Sequence, residues 1–390
     1  MHILIPALHR PSKPTGVCRH AVNLAQCLAD TEQVSRATLV VGEWQREYFE
    51  RSFKLESPKI QLVTVDIKNS ALARNQWFMF GLPRLAKQLK PDVIHMSFPF
   101  PFIRQWFEVP AIATIHDLYP YECPENFGYP QVWFNQLFLR QCIRSSDGLT
   151  CVSKCTLEAL HAHFPQVKNK ATVVYNVVEF SGNESIVPQQ LGEHFSNPFL
   201  ISVAQHRKNK NLDLLIRAFG TLLCADRLRP HTQLVLVGST GPETPHLTQL
   251  VKDLDLKDNV IFLSGLEDEE LRWLYEQADL FAIPSSTEGF CLPLVEALTL
   301  SCPAVCSDIP IFREVGSSQC RYFELNQQAC DNLTEAISDE LAHRQGRESP
   351  VNLRFSRTEI SRQLLNFYEL VSEHKSEKYL DGIGVTKRDL

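Results

Sequence analysis

Strands and helices alternate regularly in the second half of the chain. Short runs in which nearly every residue is apolar predict buried strands, and the segments between them carry apolar residues at helical spacing. The predicted strands are 199–203, 233–238, 260–263, 280–283 and 303–306, and the predicted helices are 210–223, 244–254, 268–277 and one at Pro293. Continuous apolar strands are typical of a parallel sheet covered by helices on both faces. This half is therefore predicted to be a doubly wound α/β domain.

The first half has a similar but looser pattern. Its candidate strands are 3–5, 37–41, 60–65, 93–95, 111–115 and 149–152. The polar segment 180–197 lacks periodicity, which is typical of an interdomain linker. The predicted division is a first domain over 1–184, a second over 185–352, a C-terminal helix over 353–372 that packs on the first domain, and a charged tail over 373–390. Ligands favour the carboxyl ends of such sheets, so we expect the two domains to face each other across a binding cleft.

A polar turn joins the strand 280–283 to the Pro293 helix and contains two carboxylates. Glu288 lies in the turn and Glu296 on the helix. The unpaired N–H groups and positive dipole end of a helix N-terminus favour a phosphate. Carboxylates instead accept hydrogen bonds from hydroxyls, so a nucleotide sugar would use every group in this stretch. The alternative is that Glu288 and Glu296 are surface carboxylates in contact with solvent and bind no ligand.

Two other strand ends carry candidate binding groups. The turn after the strand 199–203 holds Arg207, Lys208 and Lys210, which could neutralise a pyrophosphate. His116 and Asp117 close the strand 111–115, where a histidine can bind hydroxyls or move protons at neutral pH. A solvated basic turn and a structural His–Asp pair are the alternatives.

Composition excludes several classes of partner. The 390 residues are 44% hydrophobic and 22% charged, with a formal net charge of −6, so bulk charge attracts neither nucleic acid nor an anionic membrane. The N-terminus lacks signal-peptide features, and no apolar run approaches the ~20 residues that span a bilayer. The expected location is the cytoplasm, with peripheral contact at the inner membrane face left open.

The cysteines indicate neither a disulfide framework nor a metal site. Four of the twelve fall inside apolar segments and are predicted to be core residues: Cys27, Cys142, Cys224 and Cys306. Two cysteines and two histidines in 151–163 suggest zinc, but Ser153 is typical of a helix start rather than a zinc knuckle. No metal and no other cofactor is expected.

Familiar nucleotide fingerprints are missing. Gly16 follows the first strand and opens a helix, and a glycine there lets the backbone approach a ligand closely. Neither G-x-G-x-x-G nor G-x-x-x-x-G-K-[ST] occurs, so a dinucleotide-dependent dehydrogenase and a P-loop enzyme are unsupported.

Taken together, these residues resemble the retaining GT-B glycosyltransferases of family 4. The strongest piece is Ser286-Thr-Glu-Gly-Phe-Cys-Leu-Pro-Leu-Val-Glu-Ala297, which is similar to the family signature Glu-Gly-Phe-Gly-Leu-Pro-x-x-Glu-Ala. Supporting pieces are Lys210-Asn, Ile115-His-Asp, Tyr175-Asn and Tyr322-Phe, and the likeness spans residues 1–370. Two positions depart from the pattern: Cys291 replaces a glycine, and Gln205 stands where many members carry a pyrophosphate arginine, a role that Arg207 could take.

The resemblance implies roles for individual residues. Glu296 would bind the ribose hydroxyls, Glu288 the transferred sugar, and Lys210 with Arg207 the pyrophosphate. Backbone N–H groups of Phe290, Cys291 and Leu292 would meet the phosphate nearest the sugar, as would Gly16; Gly289 and Leu266 complete the donor-binding residues. His116 would touch the sugar or acceptor, with Asp117 and Tyr119 on the acceptor side, and the catalytic residues would be Glu288, His116 and Lys210.

The reaction implied is displacement of a nucleoside diphosphate from a sugar by an acceptor hydroxyl, with configuration retained and no metal required. The acceptor could be a glycan, a lipid-linked sugar or a small molecule. A glycoside hydrolase also uses two carboxylates, which must lie roughly 5–9.5 Å apart, whereas eight residues of continuous helix would separate them by about 12 Å. The turn-to-helix placement of Glu288 and Glu296 could bring them closer, but the cationic turn would have no purpose in hydrolysing a neutral sugar. A non-catalytic sugar-nucleotide-binding protein is the other alternative. Fifteen aromatics lie between Trp77 and Phe138, either as domain core or as a surface for an amphipathic acceptor or a membrane.

Overall fold

The computed structural model describes residues 1–9, 16–53, 55–124, 128–179, 184–192, 195–343 and 353–382, with the side chains of 353 and 374–382 outside that description. The chain forms two compact units, one of Met1–Val177 with Leu353–Leu390 and the other of Val178–Asn352. The first unit therefore ends before the predicted boundary at residue 184, and it includes the C-terminal helix.

Unit 1 is built on a parallel sheet of seven strands in the order β3-β2-β1-β4-β5-β6-β7. The strands are β1 His2–Pro6, β2 Arg36–Gly42, β3 Ile60–Val65, β4 Val93–Met96, β5 Ala111–Ile115, β6 Gly148–Cys151 and β7 Ala171–Val173. The helices are α1 Gly16–Ala29, α2 Arg46–Ser52, α3 Ala71–Gln76, α4 Leu82–Leu89, α5 Tyr119–Glu122, α6 Gln131–Ser145, α7 Lys154–His163 and, after unit 2, α14 Arg357–Gly382.

Unit 2 has a parallel sheet of six strands in the order β10-β9-β8-β11-β12-β13. The strands are β8 Phe199–Val203, β9 Gln233–Val237, β10 Val260–Leu263, β11 Leu280–Ile283, β12 Ala304–Ser307 and β13 Cys320–Phe323. The helices are α8 Leu212–Cys224, α9 Thr244–Asp253, α10 Asp268–Gln277, α11 Leu292–Thr299, α12 Pro310–Gly316 and α13 Ala329–Ala342. The prediction of two doubly wound Rossmann-like domains is confirmed.

Both faces of each sheet are buried, as the continuous apolar strands predicted. In β1, Ile3 and Ile5 pack into one cluster with α1, whereas Leu4 packs into another with Phe78 and Leu82. Alternate residues of a strand point to opposite faces, so one apolar run supplies two helix layers.

Two short strands have no counterpart in the sequence prediction. These are β7 and β13, which lie at sheet edges and are only partly buried. β7 has only three residues and Arg321 interrupts β13, so neither has the continuous apolar run that revealed β10 at the opposite edge of its sheet.

The cysteine and C-terminal predictions need correction. Cys27, Cys142 and Cys306 are buried, but Cys224 is exposed because it ends α8 away from the buried face. The C-terminal helix α14 continues to Gly382, past the predicted start of a charged tail at 373, and residues 383–390 lie outside the described part.

The helix α14 packs on the sheet of unit 1 through Leu364, Phe367 and Val371. A β-carbon at Gly148 of β6 would come within 2.8 Å of Val371 and 2.9 Å of Phe367. Glycine at this position therefore allows the close approach of helix and strand.

No described helix is both long and apolar enough to cross a bilayer. In the same part of the chain, no three His, Cys, Asp or Glu side chains are grouped as a metal ion would require. Ser153 caps the N-terminus of α7 by accepting a hydrogen bond from the Thr156 N–H at 3.0 Å, so the predicted helix start is confirmed, while Cys151 ends β6.

Candidate functional site

The candidate site of unit 2 lies where the strand order reverses. From β8 the chain first builds β9 and β10 on one side and then returns to place β11 on the other. The two strands pair in parallel, with Leu280 beside Leu200, so the turns that follow them leave the same edge of the sheet. Ligands of doubly wound sheets bind at such a switch point.

Backbone and amide hydrogen bonds join these two turns. The Ser286 N–H donates to the Asn209 carbonyl at 2.8 Å, and the Asn209 side chain donates to the Thr287 carbonyl at 3.2 Å. The Asn211 side chain donates to the Pro284 carbonyl at 2.9 Å. The turn that carries the cations is thus held against the turn that carries Glu288.

An ion pair lies between the joined turns. Lys210 Nζ is 2.6 Å from Glu288 Oε1, and their side chains are only 14% and 9% exposed. The Ser285 hydroxyl donates to the same carboxylate oxygen at 2.8 Å. The ammonium group has three N–H donors, so two remain for an anion.

Two buried polar atoms in the cationic turn are unsatisfied. Asn209 Oδ1 and His206 Nε2 have no hydrogen-bond partner among the described residues. Buried polar groups are nearly always satisfied by protein, water or ligand. These two atoms are therefore further ligand-binding candidates.

Glu296 is buried and held from a third element. The Tyr275 hydroxyl of α10 donates to Glu296 Oε2 at 3.0 Å, and Tyr275 is fully buried. Burial, reinforced by the Glu296 charge, raises the pKa of Tyr275 well above its usual value, so the phenol stays a donor. Tyr275 was not predicted as a site residue, because an aromatic residue on an amphipathic helix is usually part of the core.

The helix between the two glutamates begins at an unusual residue. Cys291 precedes α11 with φ 68° and ψ 72°, in the left-handed region that strongly favours glycine. The glycine-to-cysteine departure therefore falls on a strained position. Burial, followed by the Glu288 charge, raises the pKa of the Cys291 thiol, which keeps it neutral.

The other predicted donor residues lie at the same edge of the sheet. Arg207 is half-buried in the cationic turn, without an ion pair among the residues described. Gly289 directly follows Glu288, and Leu266 lies in the loop between β10 and α10. Gly238 and Gly241 were not predicted as site residues; a β-carbon there would collide with the backbone of Ala204 and His206 respectively. Glycine lets the loop after β9 pack against the cationic turn.

Unit 1 contains a second candidate site, also where its strand order reverses between β1 and β4. A cavity of about 360 Å³ lies beside the ends of β1, β4 and β5. Its aromatic walls include Phe78, Phe98 and Phe138, and its polar lining includes His9, Arg74, Asn75, His116, Asp117 and Asn135. Nδ1 of His9 is buried without a hydrogen-bond partner in the described part of the chain. Apolar walls with a few polar groups are typical of a small-ligand site.

His116 has a defined tautomer in this cavity. Its Nε2 lies 2.8 Å from the Ser97 carbonyl, which can only accept, so Nε2 carries the proton and Nδ1 is left as an acceptor. Burial lowers the pKa of His116, which keeps the ring neutral near pH 7. His20 packs edge-on against it at 4.7 Å between ring centroids.

The remaining predictions in unit 1 fall near these rings. Asp117 accepts a hydrogen bond from the Tyr119 N–H at 3.1 Å, and Tyr119 begins α5. Gly16 begins α1 and is exposed, and a β-carbon there would meet no atom within 4 Å. No packing contact with a described residue therefore requires glycine at this position.

Each of the two units matches the model of a known protein family. The model for Glycosyltransferase Family 4 matches residues 14–181, and that for Glycosyl transferases group 1 matches residues 184–350. The chain belongs to glycosyltransferase family 4, group 1. The family predicted from the Glu288–Glu296 segment is thereby confirmed.

This family 4 chain has curated relatives in bacteria. It is 25% identical over 313 residues to the O-antigen chain mannosyltransferase RfbU of Salmonella typhimurium, a match that covers 79% of this chain and 82% of the relative. It is 32% identical over 175 residues to an N-acetylgalactosaminyltransferase of Campylobacter jejuni whose name specifies a diphospho-undecaprenol acceptor. The latter match spans 45% of each chain.

Solved structures of glycosyltransferases share the fold of this family 4 chain. Anabaena HepE in complex with UDP and glucose superposes with a TM-score of 0.63 at 17% identity, covering 97% of this chain and 100% of that one. WaaG, a glycosyltransferase of lipopolysaccharide biosynthesis, superposes with a TM-score of 0.66 at 18% identity, covering 96% and 98%. At this identity the likeness shows the fold alone, which is the predicted GT-B type.

Proposed function

We propose that this glycosyltransferase moves a sugar from a nucleoside-diphosphate sugar to an acceptor hydroxyl, with retention of configuration, in glycan, polysaccharide or glycolipid synthesis. The observation that carries the donor assignment is the half-enclosed Lys210–Glu288 pair at the switch point of unit 2, next to the start of α11. A cation, a carboxylate and helix N–H groups in one place suit a ligand that combines diphosphate with sugar hydroxyls.

Each residue of the proposed nucleotide-sugar site binds the part of the donor that its chemistry suits. Lys210 keeps its contact with Glu288 and directs its other N–H donors to the diphosphate, with Arg207 as a second cation. The Glu288 oxygen that does not contact Lys210 accepts from a sugar hydroxyl, and Glu296, oriented by Tyr275, accepts from the ribose. The N–H groups of Phe290, Cys291 and Leu292 bind the phosphate nearest the sugar, with Gly16 as a further phosphate contact and Gly289 and Leu266 lining the donor site.

The reaction exchanges one bond at the anomeric carbon. The bond to the diphosphate oxygen breaks, the acceptor oxygen forms the new bond, and the leaving diphosphate can take up the hydroxyl proton. Negative charge grows on the diphosphate, where Lys210 and the N–H groups stabilise it without the need for a metal ion. Neutral His116 accepts a hydrogen bond from a hydroxyl through Nδ1, and Asp117 and Tyr119 belong to the acceptor side.

The relatives support an acceptor of the saccharide class. The Salmonella relative is named for O-antigen chains and the Campylobacter relative for a lipid-linked diphosphate acceptor. The aromatic walls of the unit 1 cavity can pack against sugar rings, while its polar side chains can bind hydroxyls. We therefore propose a glycan or lipid-linked sugar as the acceptor.

The test is to screen nucleotide sugars for a rise in the melting temperature of the full chain, since a ligand that binds the folded state stabilises it. The stabilising donor is then incubated with glycan and lipid-linked acceptors, and release of nucleoside diphosphate is measured. The anomeric configuration of the product, determined by NMR, tests retention. Activity that survives complete removal of divalent metal supports metal independence.

Three results would contradict the proposal. Free sugar released from a glycoside without any nucleotide indicates a hydrolase. Donor binding without nucleoside diphosphate release across the whole acceptor panel indicates a binding protein. An inverted product rules out retention.

A further inference from the structure

Large apolar side chains are exposed mainly in one part of unit 1. Of the ten that the structure exposes among the described residues, seven lie between residues 72 and 137: Leu72, Phe80, Trp106, Tyr129, Trp133, Phe134 and Leu137. Other aromatics of this region, such as Phe78 and Phe102, are buried. The predicted aromatic belt is therefore partly core and partly surface.

The exposed side chains of α6 and its preceding turn form a stripe. Tyr129, Trp133 and Leu137 follow each other at helical spacing and are 75%, 64% and 57% exposed, and Phe134 beside them is 51% exposed. The opposite side of α6 is anchored by Val132, Leu139, Cys142 and Ile143, which are buried. A rigid, well-packed helix thus presents two aromatic rings and a leucine outward.

The same stripe becomes cationic in the next turns. Arg140 and Arg144 are exposed and continue the spacing of Trp133 and Leu137, and neither forms an ion pair in the described part of the chain. The outward face of α6 is therefore apolar in its first half and basic in its second.

The surrounding segments are basic although the whole chain is acidic. Residues 67–146 contain eight Lys or Arg against five Asp or Glu, a formal excess of +3, although Arg104 is paired with Asp147 at 2.7 Å. The cations are Lys68, Arg74, Arg84, Lys87, Lys90, Arg104, Arg140 and Arg144. The chain as a whole has a formal net charge of −6. Helix α3, which carries exposed Leu72, lines the same cavity as α6, so both helices border one region of unit 1.

We infer that this face of α6 docks unit 1 on the headgroup region of an anionic phospholipid bilayer. Trp133, Phe134 and Leu137 enter the interface, where aromatic rings are favoured. Arg140 and Arg144 contact lipid phosphates, and the neighbouring basic segments add to the attraction. The docking surface contains none of the residues proposed to bind the donor or to take part in the reaction. It brings the cavity beside α6 close to a bilayer.

Vesicle flotation of the full chain tests this inference. Phosphatidylcholine vesicles with phosphatidylglycerol should bind the wild type, and vesicles of phosphatidylcholine alone should bind it much less. The double variant Trp133→Ser/Leu137→Ser should lose at least about tenfold in binding. The double variant Arg140→Gln/Arg144→Gln should lose about fivefold for each arginine, and added salt should weaken the wild type in the same way.

Matched variants control for surface changes elsewhere. Leu370→Ser replaces a 49% exposed leucine on α14 of the same unit, and Lys252→Gln/Lys257→Gln removes two exposed cations from unit 2. Both should bind vesicles like the wild type. Melting temperatures of all variants should match, because every replaced side chain is on the surface.

Other outcomes would overturn the inference. These are no binding to either vesicle, equal binding to both, or binding that survives the Trp133/Leu137 replacement. Self-association of the wild type in sedimentation, lost in that variant, would instead assign the stripe to a second copy of the chain. Donor stabilisation measured in solution separates failure of docking from failure of the proposed transferase activity.

Discussion

Lys210 differs from the other cations of its turn in how firmly it is held. It is half-buried against Glu288 at 2.6 Å, whereas Lys208, two residues earlier, is exposed. A charge held in a partly enclosed site interacts more strongly with a ligand than a solvated charge does. Glu296 is likewise oriented by the buried Tyr275 hydroxyl. Position within the fold, rather than charge alone, distinguishes these residues.

The first prediction concerns Lys210 and Glu296. Lys210→Ala and Glu296→Gln should each reduce kcat/KM for the donor roughly fivefold to 150-fold. This corresponds to a loss of about 1–3 kcal/mol of transition-state stabilisation, the usual scale for charge-assisted hydrogen bonds. Lys208→Ala is the matched control and should stay near wild type. Steady-state kinetics with varied donor measures all three. Equal losses for Lys208 and Lys210 would show that only the bulk charge of the turn matters.

At the scale of elements, α14 is joined to the sheet of unit 1 by a buried polar network. The Tyr368 hydroxyl of α14 lies 2.5 Å from Nδ1 of His95 on β4. His95 Nε2 lies 2.8 Å from the Thr114 hydroxyl of β5, which is 2.9 Å from the Thr150 hydroxyl of β6. Buried polar groups that form hydrogen bonds with one another fix how elements pack, because a buried polar group left without a hydrogen bond destabilises the fold. The network therefore orients a helix that follows the whole of unit 2 in sequence.

The second prediction is that Tyr368→Phe lowers the free energy of unfolding by about 1–3 kcal/mol, since it leaves the buried His95 Nδ1 without a partner. Urea denaturation followed by circular dichroism measures the change. Leu370→Ala on the exposed face of the same helix is the control, expected within about 0.5 kcal/mol of wild type. A Tyr368→Phe effect as small as the control would mean that the hydrogen bond contributes nothing to α14 docking.

At the scale of the whole molecule, buried histidines of unit 1 make folding depend on pH. Burial lowers the pKa of His9 to about 4 and that of His95 to about 3, and it lowers the pKa of His20 and His116 as well. The unfolded chain binds protons to these rings near pH 6.5, whereas the folded chain does not. Their contribution to stability is complete above that pH and is lost progressively as the pH falls towards the folded pKa values.

The third prediction is a decrease in the free energy of unfolding between pH 6.5 and 5, above the range in which ordinary carboxylates titrate. Each fully buried histidine adds up to about 1.4 kcal/mol per pH unit once the unfolded ring is protonated. Urea denaturation across this interval gives the slope, and His95→Gln should make it shallower. A stability that stays constant from pH 6.5 to 5 would contradict the burial of these rings as neutral groups.

The elements were predictable to different degrees, for physical reasons. Central strands such as β8 and β11 are buried on both faces, so their composition alone reveals them. The strands β7, of three residues, and β13, which Arg321 interrupts, lack a continuous apolar run, and they were missed. Glu288, Lys210 and His116 were identifiable because polar residues directly after buried strands fall at the edge where ligands bind. The ion pair between Lys210 and Glu288 and the tautomer of His116 could not be predicted from the sequence.

The sequence by itself determined two doubly wound domains, the family, and a set of polar residues at strand ends, because periodicity and local motifs are properties of short segments. Only the tertiary structure decided that Lys210 contacts Glu288, that Tyr275 orients Glu296, that Ser97 sets the tautomer of His116, and that Trp133 and Leu137 face outward. These contacts join residues that are far apart in the chain or depend on which side of a helix is covered. Local pattern does not encode either property, since both arise when the elements pack.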